Sequence, residues 1–170
     1  MKNVLFLCGP NGIGKTTICK KILSLLPRSA YVDTDPCRMM NPFVLDDNTI
    51  PTISKNISGL IWNYLHCPVV DTVIFSYGFH GRRKEVFERI LSNLSEIEYR
   101  FIPFLLWCSE EENRIRMEKD HRNTERIERA LMESRRAYAD TPYPKIDLTD
   151  LSAEEAAERI LMEAKLKPLL

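Results

Sequence analysis

The sequence predicts an α/β fold: a parallel sheet of five strands with helices on both faces and a short lid. Three observations predict it. Strand-like and helix-like runs alternate along the whole chain, and parallel strands need a helical crossover between them. A glycine-rich loop, Gly9-Pro10-Asn11-Gly12-Ile13-Gly14-Lys15-Thr16, joins the first apolar run to the first helical one. No internal repeat, low-complexity tract or linker divides the chain, so residues 1–170 read as one domain, with a lid at about 117–125.

Each element has its own signal. Asn3 to Cys8 is an apolar run short enough for a buried strand. Lys15 to Leu26 places Ile18, Ile22, Leu25 and Leu26 on one side of a helix. Ser29 to Val32 is a short second strand, and Pro42 to Pro51 is a polar loop. Thr52 to His66 carries Ile53, Ile57, Leu60, Ile61, Tyr64 and Leu65 at helical spacing. Val69 to Phe75 is a third strand. Arg83 to Leu94 is an amphipathic helix with Val86, Phe87, Ile90, Leu91 and Leu94 inward. Phe101 to Trp107 is a fourth strand, weakened by Pro103, because proline is poor in central strands. Ser109 caps a helix opening on Glu110-Glu111-Glu112, as the helix dipole favours. Polar Lys119 to Thr124 breaks the pattern before a helix over Glu125 to Tyr138. A last short strand lies within Pro142 to Leu148. Ser152 and Glu155 form a capping box for a final helix to about Lys165.

Composition narrows the function. Lysine plus arginine equals aspartate plus glutamate at 24 each in 170 residues, which argues against a generic polyanion binder and so against nucleic acid. No apolar run reaches the ~18 residues of a membrane span. The basic-then-apolar start runs straight into the glycine loop and does not read as a signal peptide. Five cysteines show neither C-x-x-C nor metal spacing. Reduced, buried thiols and a soluble cytoplasmic protein are the expectation.

The glycine loop fits G-x-x-x-x-G-K-[ST] without mismatch. Its glycines let consecutive backbone N–H groups curl around phosphate oxygens, its lysine reaches the β- and γ-phosphates, and its hydroxyl ligates Mg²⁺. A strand, a glycine loop and a helix N-terminus in this order make the phosphate site. Gly9, Asn11, Gly12, Ile13, Gly14, Lys15, Thr16 and Thr17 are therefore the expected ATP-binding residues, with Thr16 also at the metal.

Four further clusters surround it. Asp33 and Asp35 lie just past the second strand. One could hold Mg²⁺ or take a hydroxyl proton, and the other could hydrogen-bond an acceptor; a solvated Asp-Pro turn is the bland alternative. Past the third strand, Ser76 to Arg83 offers Gly78 for close backbone approach, and His80, Arg82 and Arg83 for an anionic or polar acceptor. The run Arg114 to Arg122 supplies arginines on a segment between two helices, which suits a lid over a phosphoryl transfer site. It would equally serve as a charged helix face, with Glu112 paired to Arg116. The Ile146 to Ser152 turn lies where doubly wound folds touch the nucleotide base. Acceptor contacts are also expected from Cys37 to His66, where Met39, Met40, Trp62 and Tyr64 are equally candidates for core.

With these residues in place the chain resembles the small P-loop kinases of the shikimate kinase, gluconate kinase and chloramphenicol phosphotransferase type, over nearly its whole length. The resemblance implies ATP and Mg²⁺. It implies that Asp33, in a D-x-D pattern, serves the magnesium site and Asp35 the acceptor. Arg116 and Arg122 would be lid arginines, the first stacking on adenine, the second contacting the transferred phosphate. The Ile146–Ser152 turn would form the other side of the adenine pocket. The chain departs from that pattern with Ser76 where many relatives have aspartate, without the triple-glycine shikimate signature, and with Asn123-Thr124 after the lid arginine.

The expected activity is an ATP-dependent kinase acting on a hydroxyl of a small molecule, with Lys15, Asp33 and Arg122 catalytic and Asp35, Gly78 and Arg82 binding the acceptor. The alternatives are a nucleoside or nucleotide kinase and an ATP-binding or hydrolysing protein without transfer. The N-K-x-D of a GTPase is missing, and no transporter-ATPase signature stands out. Composition leaves the oligomeric state open.

Overall fold

Val4, Phe6 and Cys8 of the first strand point into one core, and Leu5 and Leu7 into the other. This is the period-two alternation of a strand buried on both faces. The computed structural model describes residues 1–167. Its five strands are β1 (Lys2–Cys8), β2 (Ser29–Val32), β3 (Thr72–Ser76), β4 (Tyr99–Trp107) and β5 (Lys145–Asp147). Its α-helices are α1 (Lys15–Leu25), α2 (Ile50–His66), α3 (Arg83–Asn93), α4 (Glu110–Lys119), α5 (Thr124–Arg129) and α6 (Ala153–Ala164). A 3₁₀ turn spans Pro36–Arg38 and a π-helical turn spans Ala130–Ser134.

All strands are parallel, in the order β2-β3-β1-β4-β5. β1 pairs with β3 from Asn3↔Thr72 to Leu7↔Ser76 and with β4 from Lys2↔Tyr99 to Cys8↔Leu105. The chain therefore leaves the centre first to one side and then to the other. The carboxyl end of β1 is the crevice such a sheet opens for a ligand. Ile18, Cys19 and Ile22 of α1 and Ala156, Ala157, Ile160 and Leu161 of α6 cover the Leu5 and Leu7 face. Helices α2 and α3 cover the other. There Phe6 packs on Phe75 and Phe87 with ring centroids 4.7 and 4.6 Å away, and burying each such ring contributes roughly 1.5–3 kcal/mol.

Most expected elements stand where the residues put them, including the capping box of Ser152 and Glu155 on α6 and the Ser109 cap on α4. Pro103 is tolerated because β5 reaches only Leu105 to Trp107, which leaves β4 a single neighbour at Pro103. Three segments differ. β3 begins at Thr72 rather than Val69, because the chain turns at Cys67 to Val70, closed by the Val70 N–H on the Cys67 carbonyl, and Val69 lies exposed. On α2, Ser54 and Ser58 are buried while Leu60 and Trp62 are exposed, so the apolar stripe follows Ile50, Ile53, Ile57, Ile61 and Leu65. The helix expected over Glu125 to Tyr138 is regular only to Arg129 and then widens into the π turn. That turn, α5 and α4 share a small separate core of Met117, Ile127, Ala130 and Leu131, which makes the lid its own packing unit. No helix among the described residues is long and apolar enough to cross a membrane. All five cysteines are free.

Candidate active site

The loop between β1 and α1 is held open by its glycines. Gly12 has φ +78°, and a Cβ there would come within 2.2 Å of the Met117 side chain. A Cβ on Gly9 would lie 2.5 Å from the Leu106 carbonyl oxygen. The loop thus sits directly against β4 and α4. Helices α4, α5 and α6 are capped by the side chains of Ser109, Asn123 and Ser152. Helix α1 has no side-chain cap and no acidic residue in its first turn. Its first N–H groups face a cavity of about 380 Å³ lined by Gly14, Lys15, Thr16 and Thr17. An uncapped helix N-terminus behind a glycine loop fits a phosphate chain.

Lys15 donates from Nζ to the carbonyl oxygens of Gly9 and Pro10, each at 2.7 Å. Burial pushes its pKa down to about 8. The Cys8 and Cys19 thiols oppose that shift, and Arg122 and Arg83 add to it. A buried ammonium among cations is stabilised by an arriving polyanion.

Asn11, at the loop's tip, is clamped from both sides. Its N–H donates to Ser134 Oγ at 2.8 Å, and its carbonyl accepts from Asn113 Nδ2 at 3.1 Å. Arg135 donates to Asn113 Oδ1 and to the Cys108 carbonyl, and stacks 4.2 Å from the Trp107 ring centre. Sequence reasoning missed Asn113, Ser134 and Arg135. The contact between Asn11 and Ser134 spans 123 positions, and no motif marks it.

The same cavity takes its other wall from the ends of β2 and β3. Asp35 and Arg38 line it, ion-paired with each other, with Ser76 to Gly78, His80 and Arg83 across from them. Asp33 is not among the lining residues. It accepts the Asp35 N–H at 3.1 Å, and its charge acts on Cys19 and Tyr31. Arg82 also lies outside: it pairs with Asp47 and with Glu85, and its neighbour Arg83 faces the cavity instead. No residue of α2 lines this space. Trp62 stacks on His66, 3.9 Å between ring centres, and Tyr64 joins the core, so the expected aromatic contribution to an acceptor pocket is absent.

Arg122 lines the cavity from the lid and pairs with Asp120 at 3.2 Å. Arg116 holds Glu112 at 2.6 Å and also donates to the Ile13 carbonyl at 3.1 Å and the Leu148 carbonyl at 2.8 Å. It stands between the glycine loop and the turn before α6. A second cavity of about 330 Å³ opens there, walled by Gly12, Thr17, Arg116, Leu151, Ser152 and Ala156. No group of three His, Cys, Asp or Glu side chains that could hold a metal ion occurs among the described residues. Thr16 with one nearby carboxylate suits Mg²⁺, which keeps its waters and takes most of its other ligands from phosphates.

A glycine loop running from the central strand into an uncapped helix, with a lid beyond it, defines the P-loop class. The chain has the fold of the small P-loop kinases. No protein-family model matches the sequence, and no curated protein matches it. Among solved structures it is similar to the tunicamycin resistance protein of Deinococcus radiodurans, with TM-score 0.68 and 17% identity over 99% of both chains. It is similar to a sugar kinase from Janibacter sp., with TM-score 0.63 and 15% identity over 98% of this chain and 96% of that one. A gluconokinase from Sinorhizobium meliloti gives TM-score 0.60 and 12% identity over 96% and 91%.

Proposed function

We propose that this protein is an ATP- and Mg²⁺-dependent phosphotransferase that phosphorylates a hydroxyl group of a small molecule. The observation that carries the reading is the two-sided cavity: an uncapped helix N-terminus with Lys15 on one wall, and polar and cationic groups from the ends of β2 and β3 on the other. A protein that only bound nucleotide would need no second wall. The names of the fold neighbours, which include a sugar kinase and a gluconokinase, agree with it.

ATP, when bound, would supply the phosphoryl group, and Mg²⁺ would neutralise part of its charge. Among the chain's own residues, Gly9, Asn11, Gly12, Ile13 and Gly14 shape the phosphate cradle, and the α1 N–H groups of Lys15, Thr16 and Thr17 complete it. Lys15 balances charge on the phosphate chain. Thr16 is the metal's hydroxyl ligand, with Asp33 behind it acting through water. Arg122 stabilises charge that grows on the transferred group. Arg116, with the turn at Leu148 to Leu151, flanks the base. Asp35 is the carboxylate that faces the acceptor and accepts its hydroxyl proton, and Gly78 admits the acceptor close to the backbone. Arg83 takes the acceptor-side role expected of Arg82.

ADP release from Mg·ATP, measured against sugar acids, shikimate, nucleosides, nucleotides, aminoglycosides and phenicols, tests the reading. A compound that raises turnover well above water hydrolysis, with the gain lost in Lys15→Ala and Asp33→Ala, supports it. Tight ATP binding with no compound stimulating release contradicts it and favours a non-transferring ATPase.

A further inference from the structure

One short piece of chain holds three parts of the site. The π turn Ala130–Ser134 runs on through Arg135 into a turn closed by the Tyr138 N–H on the Arg135 carbonyl. Ser134 Oγ accepts the Asn11 N–H of the phosphate loop at 2.8 Å. Arg135 donates to the Cys108 carbonyl, just past β4, at 3.1 Å. Tyr138 Oη accepts the Phe79 N–H at 2.9 Å, and Phe79 follows Gly78 on the other wall of the cavity. Ser134 and Tyr138 are both 2% exposed. About one helical turn apart, they reach the two walls from a single backbone segment.

The Tyr138 ring stacks on Phe79, 5.3 Å between centres, and Phe79 packs in turn on Phe87 at 4.8 Å. Burial pushes the phenol above its usual pKa, so the hydroxyl keeps its proton and accepts as a neutral group. A phenylalanine would stack equally well; the hydroxyl serves the Phe79 amide. Gly78 lies close to it. A Cβ there would come within 3.2 Å of His80 Nδ1 and 3.6 Å of the Tyr138 oxygen, so side chains from two directions hold the backbone at Gly78 and Phe79.

At the other end, Lys15 sits on the Gly9 and Pro10 carbonyls. A phosphate chain that draws its ammonium away releases the loop beside Asn11, and Asn11 is tied to Ser134. Asn11, Ser134 and His80 also line one cavity of about 450 Å³. The phosphate loop, this segment and the loop after β3 thus meet around a common space, which gives them room to shift together.

We infer that Ser134 and Tyr138 are positioning residues that keep the two walls in register, so that filling the phosphate loop moves the backbone at Gly78 and Phe79. Hydrogen bonds and packing along one contiguous segment carry the movement. This rests on the phosphotransferase reading for what the two walls hold; the link between them is a property of the chain alone.

The experiment follows the Asn11 and Phe79 amides by NMR in the isotope-labelled full chain. Saturation with Mg²⁺ and a non-hydrolysable ATP analogue is expected to shift both in the wild type. In Ser134→Ala and in Tyr138→Phe, each also saturated, the analogue should still move the Asn11 signal, and the Phe79 response should be largely lost. A direct effect of the bound phosphates on Phe79 would survive in Ser134→Ala. Its survival there, or the lack of any Phe79 shift in the wild type, overturns the inference. Without nucleotide, amide hydrogen exchange reads the same link. Tyr138→Phe should speed exchange at Asn11, and Ser134→Ala at Phe79, each roughly threefold or more beyond any change at the core amides of Leu5 and Ile74, which report global opening. No cross-effect in either direction also overturns it. Failure of the analogue to bind counts against the phosphotransferase reading instead, and the exchange rates then decide the link by themselves.

Discussion

The two walls of the cavity are finished to different degrees. On the phosphate-loop wall the long polar side chains have partners within the chain, Lys15 on two carbonyls, Asn11 between Ser134 and Asn113, and Arg116 on Glu112, Ile13 and Leu148, while the N–H groups of the uncapped α1 start are left open. On the facing wall, Arg83 makes no ion pair among the described residues, although the charge of Asp35 acts on it, and His80 Nδ1 is buried with no partner. The difference teaches which wall has its side chains fixed in advance by the fold and which keeps side chains free to meet a ligand. A wall whose internal bonds already fix its geometry can stabilise developing charge without reorganising. One that keeps an unpartnered polar atom, such as His80 Nδ1, has hydrogen-bonding capacity left for what enters.

The largest expected effect breaks the first wall at its centre. Lys15→Ala should cut kcat/KM for transfer by about 10²–10³-fold while the chain stays folded, measured by steady-state kinetics alongside thermal melting. Gly12→Ala should come next. It forces a left-handed residue to carry a Cβ against Met117, which should lower unfolding free energy by about 1–3 kcal/mol in urea titration. An unchanged denaturation midpoint would mean that α4 does not seat on the loop. Ser134→Ala removes the partner of the Asn11 N–H and should cost about 1–2 kcal/mol, with KM for ATP rising more than kcat falls. If ATP affinity is untouched, the lid and the phosphate loop are not coupled through this bond.

The smallest expected effects are in pH, and they separate the walls again. Lys15 has a depressed pKa of about 8 in the free protein, and a bound polyanion raises it. Affinity for Mg·ATP should hold steady below pH 8 and fall as pH rises from there toward the bound-state value. Lys15→Arg, always charged, should flatten that fall. Burial and the neighbouring cations push the His80 pKa down to about 4, so in the free protein the ring is neutral and should show no titration between pH 5 and 7 when its imidazole is followed by NMR. An inflection near 6.5 in the ligand-free protein would mean that the ring is not buried in the wall.

The same division governs what was legible in the sequence. The phosphate-loop wall is a contiguous motif between a strand and a helix, and its chemistry follows from spacing alone. The caps at Ser109 and Ser152 are equally local. The acceptor wall is assembled from the ends of β2 and β3, and its decisive choice is between adjacent arginines. Successive residues at a helix start point about 100° apart, so which of Arg82 and Arg83 faces inward depends on how the chain enters α3. Asp47 and Glu85 capture Arg82, and neither pairing is visible as a pattern. The clamp on Asn11 joins residues more than a hundred positions apart, and the π turn that carries Ser134 interrupts what reads as a regular helix. Asp33 and Asp35 are alike in sequence. The 3₁₀ turn at Pro36 to Arg38 separates them by bringing Arg38 onto Asp35 and turning that carboxylate into the cavity.

The central claim is that the two walls serve one transfer reaction, and the most direct measurement follows the γ-phosphoryl group itself. Wild-type protein is incubated with Mg²⁺, γ-labelled ATP and the acceptor panel, and the labelled products are separated. The account predicts label on a small-molecule acceptor, at a rate that depends on acceptor concentration and is lost in Lys15→Ala. Label appearing only as inorganic phosphate, at a rate indifferent to every acceptor, would contradict it.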